Sequence, residues 1–132
     1  TNKNEVMLVR QYRYVYAKEI IEIPAGKRDS KTEDTLEGAK RELKEELGIT
    51  AENFVYLGEF YPTPGYTDEI IYMYVATNLT LGEKNPDEDE FLNVKSFTIE
   101  EAVEKILSGE ITDAKTQAAV LKVKLLRDRG EI

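Results

Sequence analysis

The first half of the chain predicts two β-strands followed by one amphipathic helix. Residues 5–13 read EVMLVRQYR, and their mostly apolar first half is typical of a strand. Residues 19–24 predict a short second strand. A helix is predicted to begin near residues 33–35 and to end at Gly48, a residue suited to a left-handed C-cap. Its apolar stripe falls at helical spacing on Leu36, Ala39, Leu43 and Leu47.

The second half predicts three further strands and two further helices. The strands are expected at residues 54–61, 70–76 and 91–97, and the helices at residues 99–108 and 114–127. Because strands alternate with helices, the pattern favours an α/β (α+β) fold in which helices cover both faces of a sheet. We expect a single domain, residues 1–132.

Composition and charge exclude several kinds of chemistry. The chain has 132 residues, a net charge of −8, and neither cysteine nor histidine. Thiolate or imidazole metal sites and a histidine base are therefore excluded. The negative charge disfavours binding to nucleic acid. No apolar run reaches the roughly 18 to 20 residues that a membrane span needs, so no membrane contact is expected and a cytoplasmic location is the default expectation.

The predicted first helix carries an unusual group of acids. Glu42, Glu45 and Glu46 stand at i, i+3 and i+4, so their carboxylates share one helical face. Such a triplet alone is more often a solvated surface, here with Lys40 and Arg41 available as partners. The functional interpretation is that the three carboxylates bind a hard divalent cation.

A longer motif around this helix changes that balance. From Glu33 onward the sequence matches E-x7-R-E-U-x-E-E-x-G-U, where U is a bulky apolar residue, and residues 41–49 read RELKEELGI. The motif resembles the signature of the Nudix hydrolases, and this resemblance implies an α/β/α sandwich with a mixed sheet. In that signature a glycine precedes the first glutamate by five intervening residues, whereas six residues separate Gly26 from Glu33.

The resemblance also implies roles for individual residues. Glu42, Glu45, Glu46 and the carbonyl of Ala25 would bind Mg²⁺, with Mn²⁺ as the alternative metal, and Glu46 would also count among the catalytic residues. In this family the glutamate and arginine that correspond to Glu33 and Arg41 brace the loop against the helix. That pair is therefore expected to be structural.

Three further segments resemble the ADP-ribose pyrophosphatase branch of this family. They are residues 10–13, which read RQYR, residues 22–26, which read EIPAG, and residues 62–69, which read PTPGYTDE. By this resemblance Arg13 would contact the substrate diphosphate, with further substrate contacts at Glu22, Gly65 and Glu69.

The acidic loop before the predicted strand 91–97 is the candidate location of a general base. By composition alone, the cluster at residues 87–90 is a solvated loop. The chemistry nevertheless needs a base, and the helix carboxylates would be occupied by metal. In the resembled branch the base lies on an acidic loop at this place, which favours Glu88 as base and Glu90 as the alternative or as an auxiliary ligand.

The expected activity is metal-dependent hydrolysis of ADP-ribose to AMP and ribose 5-phosphate. The alternatives are the same fold acting on a nucleotide sugar, a dinucleoside polyphosphate or NADH, and a non-catalytic module that senses a nucleotide. Members of the resembled branch are homodimers with an N-terminal extension. We therefore expect a homodimer, and we expect that the extension is missing from this chain.

Overall fold

The computed structural model describes residues 1–82 and 93–132. These residues form the following elements: β1 (Glu5–Arg13), β2 (Lys18–Glu22), α1 (Thr35–Leu47), β3 (Ile49–Phe60), β4 (Ile71–Leu81), β5 (Val94–Thr98), α2 (Ile99–Leu107) and α3 (Ala114–Asp128). The strands and helices predicted from the sequence are thus present, with changed ends. Within the described residues, none of the helices has both the length and the apolar character needed to cross a membrane.

The strand β1 is the centre of a three-stranded sheet with the order β2-β1-β5. Its first half pairs antiparallel with β5, from Glu5 opposite Thr98 to Val9 opposite Val94. Its second half pairs antiparallel with β2, where Val9 lies opposite Glu22. The sheet therefore brings the end of β2 beside the middle of β1.

The strands β3 and β4 form a separate antiparallel pair with a register shift between Tyr56 and Gly58. The predicted strands 54–61 and 70–76 were too short, because the pairing continues from Phe54 opposite Ala76 out to Ile49 opposite Leu81. The added segments contain Glu52, Asn53 and Asn78, residue types that are depleted in strands, and these obscured the extension in the sequence. Packing against cross-strand neighbours overrides such preferences.

Each helix begins at a side-chain cap. Asp34 accepts hydrogen bonds from the backbone N–H groups of Leu36 and Glu37 at the start of α1, and Gly48 ends this helix with φ of 63°. Both ends of the predicted first helix are confirmed. Thr98 and Glu101 form the expected capping box of α2, and Asp113 caps α3.

The β3–β4 pair lies between α1 and α3, which confirms the α/β sandwich. On one face, the Thr35 hydroxyl of α1 is 2.6 Å from the Tyr74 hydroxyl. On the other face, Leu57 and Met73 pack in one core cluster with Val123 of α3. The expected mixed sheet takes another form in this part of the chain: two sheets, with antiparallel pairing throughout the described ladders. The connections from β1 to β2, residues 14–17, and from β3 to β4, residues 61–70, are both shorter than the crossover of about a dozen residues that a parallel pair needs.

A second core cluster lies under the β1 sheet and consists of Leu8, Ile21 and Ile111. Val6 and Ile23 are partly buried and pack against both clusters. The end of β2 is therefore fixed from both sides, and the loop that follows it starts from a rigid position. This is the loop that leads to α1 and to the signature carboxylates.

Candidate active site

Glu42 of α1 lies directly against the backbone of Gly26. The side chain of Glu42 is 19% exposed, and a Cβ built on Gly26 would overlap its carboxylate. Any side chain at position 26 would therefore displace Glu42 or the loop. Sterics explain the glycine at this position of the signature, because only a residue without a side chain lets the loop approach the acidic helix face so closely.

Glu46 lies one turn further along α1 and adjoins Glu42. Burial raises the pKa of Glu46 to about 7, and the neighbouring carboxylate of Glu42 adds to the rise. A hydrogen bond from the Ala25 backbone acts in the opposite direction. Two carboxylates and the backbone of Ala25 thus meet in a half-buried place where negative charge is crowded.

Arg41 connects α1 to the preceding loop. Its Nε is 3.1 Å from both Glu33 Oε2 and Asp29 Oδ2, while its Nη2 donates to Glu33 Oε1 at 3.2 Å and to the Lys27 carbonyl at 3.0 Å. Hydrogen bonds from Arg41, and then from the Asp29 backbone, lower the pKa of Glu33. In this structure Arg41 and Glu33 therefore bridge the loop and the helix.

The remaining nitrogen of Arg41 faces the acidic side of the helix. Its Nη1 donates to Glu42 Oε1 and to Glu45 Oε2, each at 2.9 Å. Glu45 is 60% exposed and forms the i,i+4 ion pair expected of a solvated helix surface. Arg41 therefore pairs both with Glu45, an exposed acid on the helix surface, and with Glu42, the less exposed acid beside the loop.

The donor set suits a hard divalent cation. Glu42, Glu45 and Glu46 offer carboxylate oxygens and Ala25 offers a carbonyl oxygen, which are the ligand types that such cations take. The mutual crowding of Glu42 and Glu46 favours a cation beside them. Among residues 1–82 and 93–132, no group of three or more acidic side chains is already arranged as a metal site. Glu45 is turned toward Arg41 instead.

Arg13 is engaged by Glu22 in a two-pronged ion pair. Arg13 Nε donates to Glu22 Oε2 at 2.8 Å, and Nη2 donates to Oε1 at 2.9 Å. Glu22 is 2% exposed, whereas the Arg13 side chain is 46% exposed. Lys115 of α3 also donates to Glu22 Oε1, at 2.7 Å. Arg13 and Glu22, which were both predicted to contact the substrate, are thus paired with each other, and Lys115 shares the Glu22 carboxylate.

The N-terminus of α3 is tied to the end of β2 by Thr116, which is fully buried. Its hydroxyl accepts the Ile23 N–H at 2.9 Å and donates to Asp113 Oδ2 at 2.6 Å. Lys115 in turn lies 3.1 Å from Asp113. Sequence reasoning missed these contacts, because 93 residues separate the partners of each bond to β2 and no local motif marks them.

The other predicted site residues lie apart or outside the described residues. Gly65 and Glu69 are exposed in the loop between β3 and β4. A Cβ on Gly65 would meet nothing within 4 Å, so sterics give no reason for glycine there. Glu88 and Glu90, the candidates for the base, fall at positions that the structure does not describe.

Comparison with known proteins identifies the family. A family model described as the NUDIX domain matches residues 1–120. The chain therefore belongs to the Nudix family, whose hydrolases generally require a divalent metal. The matched range includes the acidic face of α1 and the contact between Glu33 and Arg41.

Two curated relatives are similar over nearly the whole chain. A methanol dehydrogenase activator of Bacillus methanolicus is 43% identical over 127 residues, and an ADP-ribose pyrophosphatase of Bacillus subtilis is 39% identical over 127 residues. In each comparison the match covers 95% of this chain and 68% of the relative. This chain thus spans about two thirds of the length of either relative.

A solved structure supports the fold. The chain superposes with a TM-score of 0.82 on a protein described as an ADP compounds hydrolase, at 24% identity, covering 98% of this chain and 70% of that one. At this identity the likeness establishes the shared architecture. The Nudix-type α/β fold expected from the signature is therefore confirmed.

Proposed function

We propose that this chain is a Mg²⁺-dependent pyrophosphatase that hydrolyses ADP-ribose to AMP and ribose 5-phosphate. The observation that carries the proposal is the contact of Glu42 with Gly26, beside Glu46, in a folded Nudix signature. The 39% identity to an ADP-ribose pyrophosphatase supports the choice of substrate.

In this proposal the acidic face of α1 binds the metal. Glu42, Glu45, Glu46 and the Ala25 carbonyl are the ligands, and Arg41 keeps Glu42 and Glu45 close to each other. These ligands would hold Mg²⁺, whose positive charge would polarise a diphosphate and lower the pKa of a nearby water. Because Gly26 has no side chain, the space that the Glu42 carboxylate occupies stays free.

The remaining roles concern the substrate and the proton. Arg13 binds the diphosphate through N–H groups that Glu22 leaves free, since guanidinium carries five donors and the ion pair uses two. Gly65 and Glu69 belong to a loop that contacts the rest of the substrate. Glu88 removes a proton from the attacking water, with Glu90 as the alternative base.

Product analysis tests this assignment. ADP-ribose, a nucleotide sugar, a dinucleoside polyphosphate and NADH are each incubated with the protein, with and without Mg²⁺, and the products are separated by chromatography. We expect AMP and ribose 5-phosphate from ADP-ribose, with the highest kcat/KM of the panel and only when Mg²⁺ is present. Faster hydrolysis of another member would replace ADP-ribose as the substrate, and no hydrolysis of any would refute the activity.

A second candidate function follows from the relative at 43% identity, which is described as a methanol dehydrogenase activator. This chain would then change the rate of a dehydrogenase. Adding the protein to a methanol dehydrogenase assay tests this candidate. A rise in the dehydrogenase rate that depends on Glu46 would support it, and an unchanged rate would leave the pyrophosphatase activity as the function.

A homodimer and a cytoplasmic location belong to the same proposal. Support for a dimer comes from large apolar side chains that project from the β1–β2 turn: Tyr14, Val15 and Tyr16 are 83%, 74% and 67% exposed. Surfaces of this kind are often covered by a partner. Light scattering coupled to size-exclusion chromatography would give twice the 15.1 kDa chain mass if a dimer forms.

A further inference from the structure

We infer that Lys115 is a positioning residue that acts through Glu22 on the substrate-binding Arg13. The inference rests on the proposed function, because it takes Arg13 as the group that binds the diphosphate. Lys115 lies at the start of α3, on a different element from Arg13 and Glu22, and nothing in the Nudix signature includes it.

The orientation of Arg13 depends on the plane of the Glu22 carboxylate. Both prongs of the ion pair end on this carboxylate, at 2.8 and 2.9 Å, so the guanidinium lies where the two oxygens direct it. The last torsion of a glutamate side chain is broad, and such a carboxylate rotates unless further contacts fix it. Burial of Glu22 alone does not set this angle.

Lys115 provides the contact that fixes the carboxylate. Its Nζ is 2.7 Å from Glu22 Oε1, the same oxygen that accepts from Arg13 Nη2. The Lys115 side chain is 15% exposed and is itself anchored by Asp113 at 3.1 Å. Asp113 also caps α3 and accepts from the buried Thr116 hydroxyl. These contacts therefore fix the Glu22 carboxylate relative to the N-terminus of α3.

Charge leads to the same expectation. One carboxylate shared by two cations neutralises each of them less than it would neutralise one alone. Removing the charge of Lys115 leaves Glu22 to Arg13 entirely, and the exposed edge of Arg13 then attracts an anion less strongly. Both effects weaken the binding of a diphosphate and leave the reacting groups on α1 unchanged.

The test uses Lys115→Met, Lys115→Gln and Lys115→Arg in the full chain, with ADP-ribose and Mg²⁺. Losing an interaction that contributes equally to the substrate and to the transition state raises KM and leaves kcat unchanged. We expect KM to rise roughly 5- to 10-fold in both neutral variants, with kcat within about twofold of wild type, and the arginine variant to restore KM. Lys115→Gln replaces the methionine variant if that protein does not fold.

Lys124→Met is the matched control. Lys124 also lies on α3 and forms an ion pair, with Asp128 at 2.6 Å, far along the helix from Asp113. We expect its KM to equal that of wild type. A wild-type KM in folded neutral variants of Lys115, or a fall in kcat with KM unchanged, would overturn the inference.

A readout without substrate separates this inference from the proposed function. The Nε–Hε signal of Arg13, identified by its loss in Arg13→Lys, is recorded by ¹⁵N NMR in the free protein. We expect a signal protected from exchange in wild type and Lys115→Arg, and faster exchange in both neutral variants. If wild type hydrolyses no nucleotide, the proposed function fails alone. Identical Arg13 signals in all these proteins would overturn the positioning role.

Discussion

The carboxylate of Glu42 fills the space that a side chain at position 26 would need. Gly26 lies in the loop after β2 and Glu42 lies on α1, so their contact fixes how closely the loop approaches the acidic helix face. The contact also brings the Ala25 backbone to Glu46. The geometry of the proposed metal site therefore depends on a residue that contributes no side chain.

Replacing this glycine should damage the site and spare the fold. In Gly26→Ala the new Cβ displaces the Glu42 carboxylate, and we expect Mg²⁺ affinity and kcat/KM to fall by about 10- to 100-fold, the range seen when groups that orient a metal ligand are changed. Calorimetric titration with Mg²⁺ and initial rates measure the two quantities. The circular dichroism spectrum should stay that of wild type, and unaltered Mg²⁺ affinity would show that Glu42 tolerates the methyl group.

Bound Mg²⁺ should compensate in part for the loss of the Arg41 charge. Arg41→Gln leaves the carboxylates of Glu42 and Glu45 without their shared counter-charge, so we expect a lower Tm without metal. We also expect Mg²⁺ to raise Tm more in the variant than in wild type, because the cation then neutralises charges that no arginine balances. Scanning fluorimetry with and without Mg²⁺ measures both shifts.

Lys124→Gln provides the comparison for that experiment, since it removes an exposed ion pair with Asp128. Exposed pairs contribute little to stability, and this variant should keep both the Tm and the Mg²⁺ shift of wild type. Equal Mg²⁺ shifts in Arg41→Gln and wild type would mean that Arg41 does not balance the charge of the metal ligands.

The ionisation of Glu22 should make the free energy of unfolding depend on pH. Burial alone raises the pKa of Glu22, but the hydrogen bonds from Arg13 and Lys115 outweigh it and leave the pKa below its ordinary value of 4.5. The stabilisation is therefore complete above pH 4.5 and is lost as the pH falls from 4.5 through the lowered pKa. We expect Glu22→Gln to lose about 1 to 3 kcal/mol at pH 7.

Urea unfolding at pH 7 and in steps below pH 4.5 checks this sign. The difference in unfolding free energy between wild type and Glu22→Gln should narrow as the pH falls through that lower range, because wild-type Glu22 becomes protonated there. A difference that stays constant or widens on acidification would be incompatible with a lowered pKa.

Thr116 should be worth more to stability than its small size suggests. Its hydroxyl is fully buried and serves both Ile23 N–H and Asp113. Thr116→Val keeps the shape and leaves the half-buried Ile23 N–H without its acceptor, which costs about 1 to 3 kcal/mol. Urea unfolding measures the loss. Thr32→Val removes only an exposed hydroxyl contact with Ser30, so it should unfold like wild type.

The local features of the fold were predictable, and the distant ones were not. The ends of α1 and the capping box of α2 follow from residues within a few positions of each other, and both predictions are confirmed. The contact between Glu22 and Lys115 spans 93 residues and depends on how α3 packs under β2. No spacing rule along the chain encodes such a contact.

The site shows the same division. The shared face of Glu42 and Glu46 follows from helical periodicity. Burial, and then the neighbouring Glu42 carboxylate, raises the pKa of Glu46. The overlap between Gly26 and Glu42 depends on the path of the loop, which the signature marks only as a glycine. The roles of Glu88 and Glu90 remain predictions from the sequence, since these residues lie outside the described part of the chain.

The measurement that tests the central claim most directly is ADP-ribose hydrolysis by Glu46→Gln in the presence of Mg²⁺. The substitution keeps the size of the side chain and removes the carboxylate charge at the centre of the proposed metal site. We predict a fall in kcat of at least about 100-fold, with an unchanged circular dichroism spectrum. A Mg²⁺-dependent rate close to that of wild type in this folded variant would contradict the assignment of α1 as the metal-binding catalytic helix.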